Sequence, residues 1–188
     1  MKHLFPIVTS VAAIFCTAGS IWAADPKTGA AAAYCEQTGG AVIERAPYYN
    51  TNGPFADWLR LSGVKDFCQY TSPTDGSRIH VLLETLYTTT ASLAVSAYYA
   101  KLTPGTCEGN PASCYCSLLG GSDLFGGVTG AGGGWVGQNS PDTVLEACIF
   151  PDMSSIDSWG LTYYAEGIIR GIDLTTVLRY VPPPAKAK

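Results

Sequence analysis

One pattern recurs in this chain and limits what it can become. Tyr-Cys-x-x-x-Gly-Gly occurs at 34–40 and again at 115–121. In the first copy Cys68 follows 33 residues after Cys35, and in the second Cys148 follows 32 residues after Cys116. Trp58 and Trp135 fall between the cysteines of each copy, and Phe67 and Tyr70 in one match Phe150 in the other. Beyond them, 79–87 lines up with 156–164, with Thr85 against Thr162 and Tyr87 against Tyr164. A repeat of this kind is the mark of a duplicated structural unit. It predicts two tandem modules, at 28–102 and 106–181.

The compartment decides how the cysteines are read. Lys2 precedes an apolar run, and small residues follow up to Ala24, which is the layout of a secretory signal peptide. The expected signal is 1–23, cleaved after Ala23 or Ala24. Cys16 raises lipidation, but Phe15 stands where a lipidation site wants a small residue. No later stretch reads as a transmembrane helix. The chain is therefore expected to be exported, to the periplasm, to an outer-membrane-associated position or to the medium. With a net charge of −4 and basic residues scattered along the chain, nucleic acid and anionic membranes are poor candidate partners.

Export leaves Cys35, Cys68, Cys107, Cys114, Cys116 and Cys148, an even set in an oxidising compartment. If each copy keeps its own bond, the pairs are Cys35–Cys68 and Cys116–Cys148, which leaves Cys107–Cys114. The segment around Cys114 and Cys116 supports this. Asn110 is a helix cap, Pro111 suits the first helical position and Gly120 the end. Two residues apart on a helix is a rotation of about 200°. The two sulfurs then face opposite ways and take different partners.

Each module reads as a short helix followed by a small antiparallel sheet, an α+β class. In the first, the expected elements are a helix at 30–38, a strand at 41–45, a turn-rich loop at 47–54, a short helix at 55–61 and a strand at 67–71. The stretch 78–88 alternates Ile79, Val81 and Leu83 against His80, Leu82 and Glu84, which favours a strand. A helix is expected at 91–101. The second module has a helix at 110–120, a glycine-rich loop at 125–137 and strands at 145–150 and 155–165. The stretch 173–181 is compatible with helix or strand, and 182–188 reads as a disordered tail.

Chemistry-bearing patterns are sparse. Gly132-x-Gly134-x-x-Gly137 fits a dinucleotide-binding spacing but lacks the strand before it and the helix after it. A four-thiolate zinc site from Cys107, Cys114, Cys116 and Cys148 competes with disulfides and loses in an oxidising compartment. His80 is the only histidine beyond the signal, and it reads as a polar strand position. Asp152, Asp157 and Glu166 could supply paired carboxylates for a hydrolase. Asp152 also reads as a turn residue and Asp157 as a solvated strand position. No metal or cofactor is implied. Eleven tyrosines, with the doublets Tyr48-Tyr49 and Tyr98-Tyr99 that cannot both point inward, suggest an interaction surface. The interaction candidates are Tyr48, Tyr49, Trp135, Tyr163 and Tyr164.

The second module resembles a known family. Asn110-Pro-Ala, Tyr115-Cys116, Gly120-Gly121, then Cys148-Ile-Phe-Pro-Asp152 and Trp159 are similar to the pattern of the small bacterial DUF333 domain. The likeness covers 110–170, and the first module looks like a degenerate relative. Met153 stands where the family has Gly and Ile156 where many members have Cys. The resemblance implies an exported envelope protein of unassigned reaction, in a family loosely labelled putative haemolysin. Two-module chains of this sort are also similar to accessory proteins of the type IVB secretion system outer-membrane core. The expectation is a non-catalytic envelope module with a protein partner. The alternatives are a cell-wall hydrolase using carboxylates and a membrane-active protein.

Overall fold

The computed structural model of the chain describes residues 29–123, 130–137 and 140–183, with only the strand itself described at 140–143. The signal segment, Cys16, part of the glycine-rich loop and the end of the tail lie outside the described residues.

Helix α1 (Ala30–Gln37) leads into strand β1 (Ala41–Tyr49), followed by β2 (Leu59–Arg60), β3 (Lys65–Thr71) and β4 (Arg78–Leu82). Short α2 (Leu83–Tyr87) continues directly from β4, and α3 (Leu93–Ala100) follows. Then come α4 (Pro111–Leu118), β5 (Gly133–Gly137), β6 (Ser140–Leu145), β7 (Ala147–Ile149), β8 (Ser155–Asp157) and α5 (Ser158–Ala165).

All eight strands join one antiparallel sheet, in the order β6-β5-β1-β3-β4-β8-β7 with β2 on β1. The two ends of this path, β6 and β7, are separated in the chain by Glu146 alone. Only a strongly curled sheet can bring its ends that close, so the sheet forms a nearly closed barrel. The fold is thus α+β, with helices, an antiparallel sheet and disulfides. Strands of both sequence copies share the sheet, which differs from the expectation of a small sheet in each.

Side chains alternate between the sheet's two faces. Outside, Cys68, Tyr70, Ile79, Val81, Cys148 and Ile156 pack with Cys35, Leu86, Val95, Tyr98, Cys116 and Leu161 of the helices in the larger core. Inside, Phe67, Leu82, Trp135, Leu145 and Ala147 form a smaller core, with Trp135 edge-on to Phe67. The alternation across 79–82 therefore divides correctly between two buried faces.

Three disulfides are formed: Cys35–Cys68, Cys107–Cys114 and Cys116–Cys148. The Gly-Gly pairs that follow α1 and α4 need glycine for two separate reasons. Gly39 and Gly120 have φ of +88° and +87°, the left-handed helix stop. Gly40 and Gly121 are held by sterics. A Cβ on Gly40 would lie 2.9 Å from the Cys35 sulfur and closer still to that of Cys68. On Gly121 it would lie 3.0 Å from the Cys116 sulfur and again closer to that of Cys148. The α4 cap is as its residues suggest, with Asn110 accepting from the Ala112 amide at 2.9 Å.

Several expected elements change. The stretch Pro47 to Tyr49 is strand, not loop. Pro47 sits where β1 passes from β3 to β2 on one side, and its carbonyl still accepts from the Leu61 amide at 2.9 Å. The helix expected at 55–61 is a single 3-10 turn (Phe55–Asp57) followed by β2. The strands expected at 78–88 and 155–165 both stop halfway and become helices, α2 and α5. At α5 the Asp157 carboxylate accepts from the Gly160 amide at 2.9 Å, a cap that outweighs the aromatic strand signal after it. The glycine stretch 133–137 is strand β5, tolerated because Gly134 lies against Val144 and the Leu145 carbonyl. Helix α3 starts after its cap Ser92, whose side chain accepts from the Val95 amide. The region 173–181 contains one 3-10 turn (Leu174–Thr176) and buries Leu174, Val177 and Leu178 against the outer core.

Candidate functional site

Two features stand out from this scaffold, a polar pocket in the curl of the sheet and an exposed aromatic hairpin.

The pocket has a volume of about 330 Å³ and is lined by residues from five separate stretches. Arg45 comes from β1, Arg78 and His80 from β4, and Leu145 and Glu146 from the joint between β6 and β7. Asp157 and Trp159 come from the β8–α5 junction, and Arg170 from the segment after α5. Its floor is a buried hydrogen-bonded chain. Asp157 Oδ2 lies 3.0 Å from His80 Nδ1, and His80 Nε2 lies 3.2 Å from Arg45 Nη2. Arg45 Nη1 donates to the Trp135 carbonyl at 3.2 Å. The Gln69 amide approaches His80 Nε2 at 3.0 Å.

Burial pushes the His80 imidazole below its ordinary 6.5, against the pull of Asp157. A neutral ring with its proton on Nδ1 donates to Asp157 and accepts from Arg45 through Nε2. Gln69 then offers its NH2 rather than its oxygen, since the two ends of that amide have the same shape. Burial also lowers the Arg45 pKa and Asp157 raises it, so the guanidinium stays charged beside that carboxylate. Burial raises the Glu146 pKa, while hydrogen bonds from Asn110 and Trp159 lower it. Asn110 Nδ2 reaches both Glu146 oxygens, at 3.0 and 2.9 Å. The cap of α4 is thereby tied to the pocket wall.

Most of this site is not visible in the sequence. His80 and Asp157 read there as separate strand positions, and nothing in the sequence marks Arg45, Gln69, Arg78, Glu146, Trp159 or Arg170 as belonging with them. The available signal is weak: an arginine behind Glu44 at the end of the strand expected at 41–45, and a histidine in an alternating strand. Asp157 is buried rather than solvated, and His80 is more than a polar strand position. Asp152 belongs to a different set, accepting from the Leu93 amide at 2.8 Å and from Ser154. Glu166 is the exposed C-cap of α5. The three carboxylates are thus not assembled as a pair.

The interaction candidates also separate. Trp135 is only 7 % exposed and belongs to the inner core, which corrects its reading as a contact residue. Tyr164 stacks on Tyr98 with ring centres 4.0 Å apart, and the Lys101 ammonium lies over the Tyr164 ring, 4.7 Å from its centre. Tyr163 lies under the Arg170 guanidinium at 5.2 Å, beside Trp159. Tyr48 and Tyr49 are half-buried on β1, at the aromatic hairpin. There Trp58 contacts Tyr48 and Phe55 edge-on, at 6.1 and 5.1 Å. Phe55 is 64 % exposed and Leu59 59 %.

Among the described residues no helix is long and apolar enough to cross a membrane. In comparisons with family models, curated proteins and solved structures, nothing matches this chain.

Proposed function

We propose that the protein is an exported, non-catalytic interaction module of the cell envelope, a DUF333-like unit in tandem. The observation that carries this reading is the β1–β2 hairpin. Phe55 and Leu59 are turned to solvent next to Trp58 and Tyr48, on an edge strand of two residues. Aromatic groups exposed together are costly to keep in water and are enriched where proteins meet. An accessory role in an outer-membrane secretion complex is the specific form we favour.

The tandem reading, with modules at 28–102 and 106–181, draws support from matched surroundings. Each copy runs from helix to disulfide-linked strand to a strand that becomes a helix. Cys68 pairs across the sheet with Val81, and Cys148 with Ile156. Val81 and Ile156 then pair with each other, at the seam between the copies.

The test is a photocrosslinking residue at position 55 in intact envelopes. The expected result is one stoichiometric protein adduct that disappears when Leu59 and Trp58 are changed to serine. Recovery of uncrosslinked monomer alone overturns the reading. A hydrolase is less well supported, because Asp152 and Asp157 serve separate hydrogen-bond sets.

A further inference from the structure

We propose that the pocket in the curl of the sheet is a binding site for a small oxyanion, a carboxylate or phosphate group, clasped at its mouth by Arg78 and Arg170.

The first support is the distribution of charge. The chain is acidic overall, yet Arg45, Arg78 and Arg170, three of its five arginines, line this one pocket. The others, Arg60 and Arg179, lie elsewhere. The second is that the acidic groups of the pocket are already answered. Asp157 takes His80 and the Gly160 amide, and Glu146 takes both bonds from Asn110. Arg78 and Arg170, by contrast, have no carboxylate partner among the described residues. Arg170 rests on the face of Tyr163, which fixes its position without neutralising it. Arg78 depresses the pKa of both Arg45 and His80, so its charge is felt at the pocket floor.

The third support is shape. A volume of about 330 Å³ suits a small ligand or the end of a larger one. Trp159 and Leu145 give the wall an apolar part, while the guanidiniums offer planar paired donors that match carboxylate and phosphate oxygens. The buried Asp157–His80–Arg45 chain holds the floor rigid. At the mouth Arg170 is positioned on Tyr163 beside Arg78, and Arg45 contributes its field from below.

The proposal is separate from the hairpin reading, and its test involves none of the hairpin residues. The full exported chain is titrated calorimetrically at low salt with inorganic phosphate and with acetyl-alanyl-alanine. The amide of the same dipeptide is the uncharged control. One-site binding of phosphate, of the free carboxylate or of both is expected, with none for the amide; which probe binds identifies the source of the oxyanion. Arg78→Ala and Arg170→Ala should each weaken binding about tenfold or more, as loss of a charge-assisted hydrogen bond does. Arg60→Ala should leave it unchanged. Both mouth arginines are at least partly exposed, so the variants should keep the wild-type circular dichroism and disulfide map. Raising salt on the unaltered protein gives an independent reading, since binding should weaken as charges are screened. Absence of binding by both charged probes overturns the proposal. So does binding that ignores both arginine substitutions and salt.

Discussion

The two faces of the curled sheet are both buried, and they are buried in different ways. The outer face is apolar and covered by helices, with the Cys35–Cys68 and Cys116–Cys148 bonds set into it. The inner face holds a smaller apolar cluster and, beside it, a histidine, an aspartate and an arginine in one hydrogen-bonded chain. Hydrophobic area and crosslinks carry stability on the outside. Inside, polar groups are tolerated only because each answers another. The outer face builds the scaffold, and the inner face holds the polar floor of the pocket.

The largest effect should come from the outer face. Replacing Cys35 and Cys68 together by serine should lower stability by about 3–4 kcal/mol in urea denaturation, from the loop length the bond closes. Replacing Cys107 and Cys114, which close a much shorter loop, should cost only about 2 kcal/mol. Equal losses from the two would break the assignment of stability to the outer face. On the inner face, Asp157→Ala removes both the His80 partner and the α5 cap. It should cost roughly 2–4 kcal/mol by the same measurement. A loss well under 1 kcal/mol would mean that the inner chain is ornamental.

Gly40→Ala and Gly121→Ala sharpen the comparison between the two sequence copies. Each adds a methyl against a disulfide, at an expected cost of about 1–3 kcal/mol. Clearly unequal losses would argue against matched surroundings.

The smallest effect concerns pH. The folded pKa of His80 is depressed, so the unfolded chain binds the extra proton more readily. Its contribution is fully present above the ordinary value of 6.5 and is lost as pH falls through the folded value. Denaturation midpoints should therefore fall on acidification below about 6.5, and less steeply in His80→Gln. Identical slopes for the two proteins would show that folding leaves the His80 titration unshifted.

What could be read from the sequence followed from how local its cause was. The Tyr-Cys-x-x-x-Gly-Gly pattern was legible because a helix stop and a disulfide act within a few residues of one another. Asn110 and Pro111 announced α4 for the same reason. The halfway change from strand to helix at Leu82 and Asp157 was not legible. There aromatic and β-branched residues serve the outer core, whichever secondary structure carries them. The pocket was hidden most completely. Residues 45, 78, 146, 157 and 170 meet only after the sheet has curled, and no spacing along the chain encodes that meeting.

The single residue between β6 and β7 also bears on the order of folding. Strand β1 lies near the start of the described chain, yet it finds its second neighbour in β5, with Arg45 opposite Gly137. An emerging chain can form α1, β3, β4 and the Cys35–Cys68 bond while its later half is still unavailable. It cannot cover the far side of β1, whose open edge would invite pairing with other chains until β5 arrives. Closure through Glu146 is thus a late, long-range event of the kind that slows folding. A chain truncated before Gly133 should collect as aggregates rather than as a stable half.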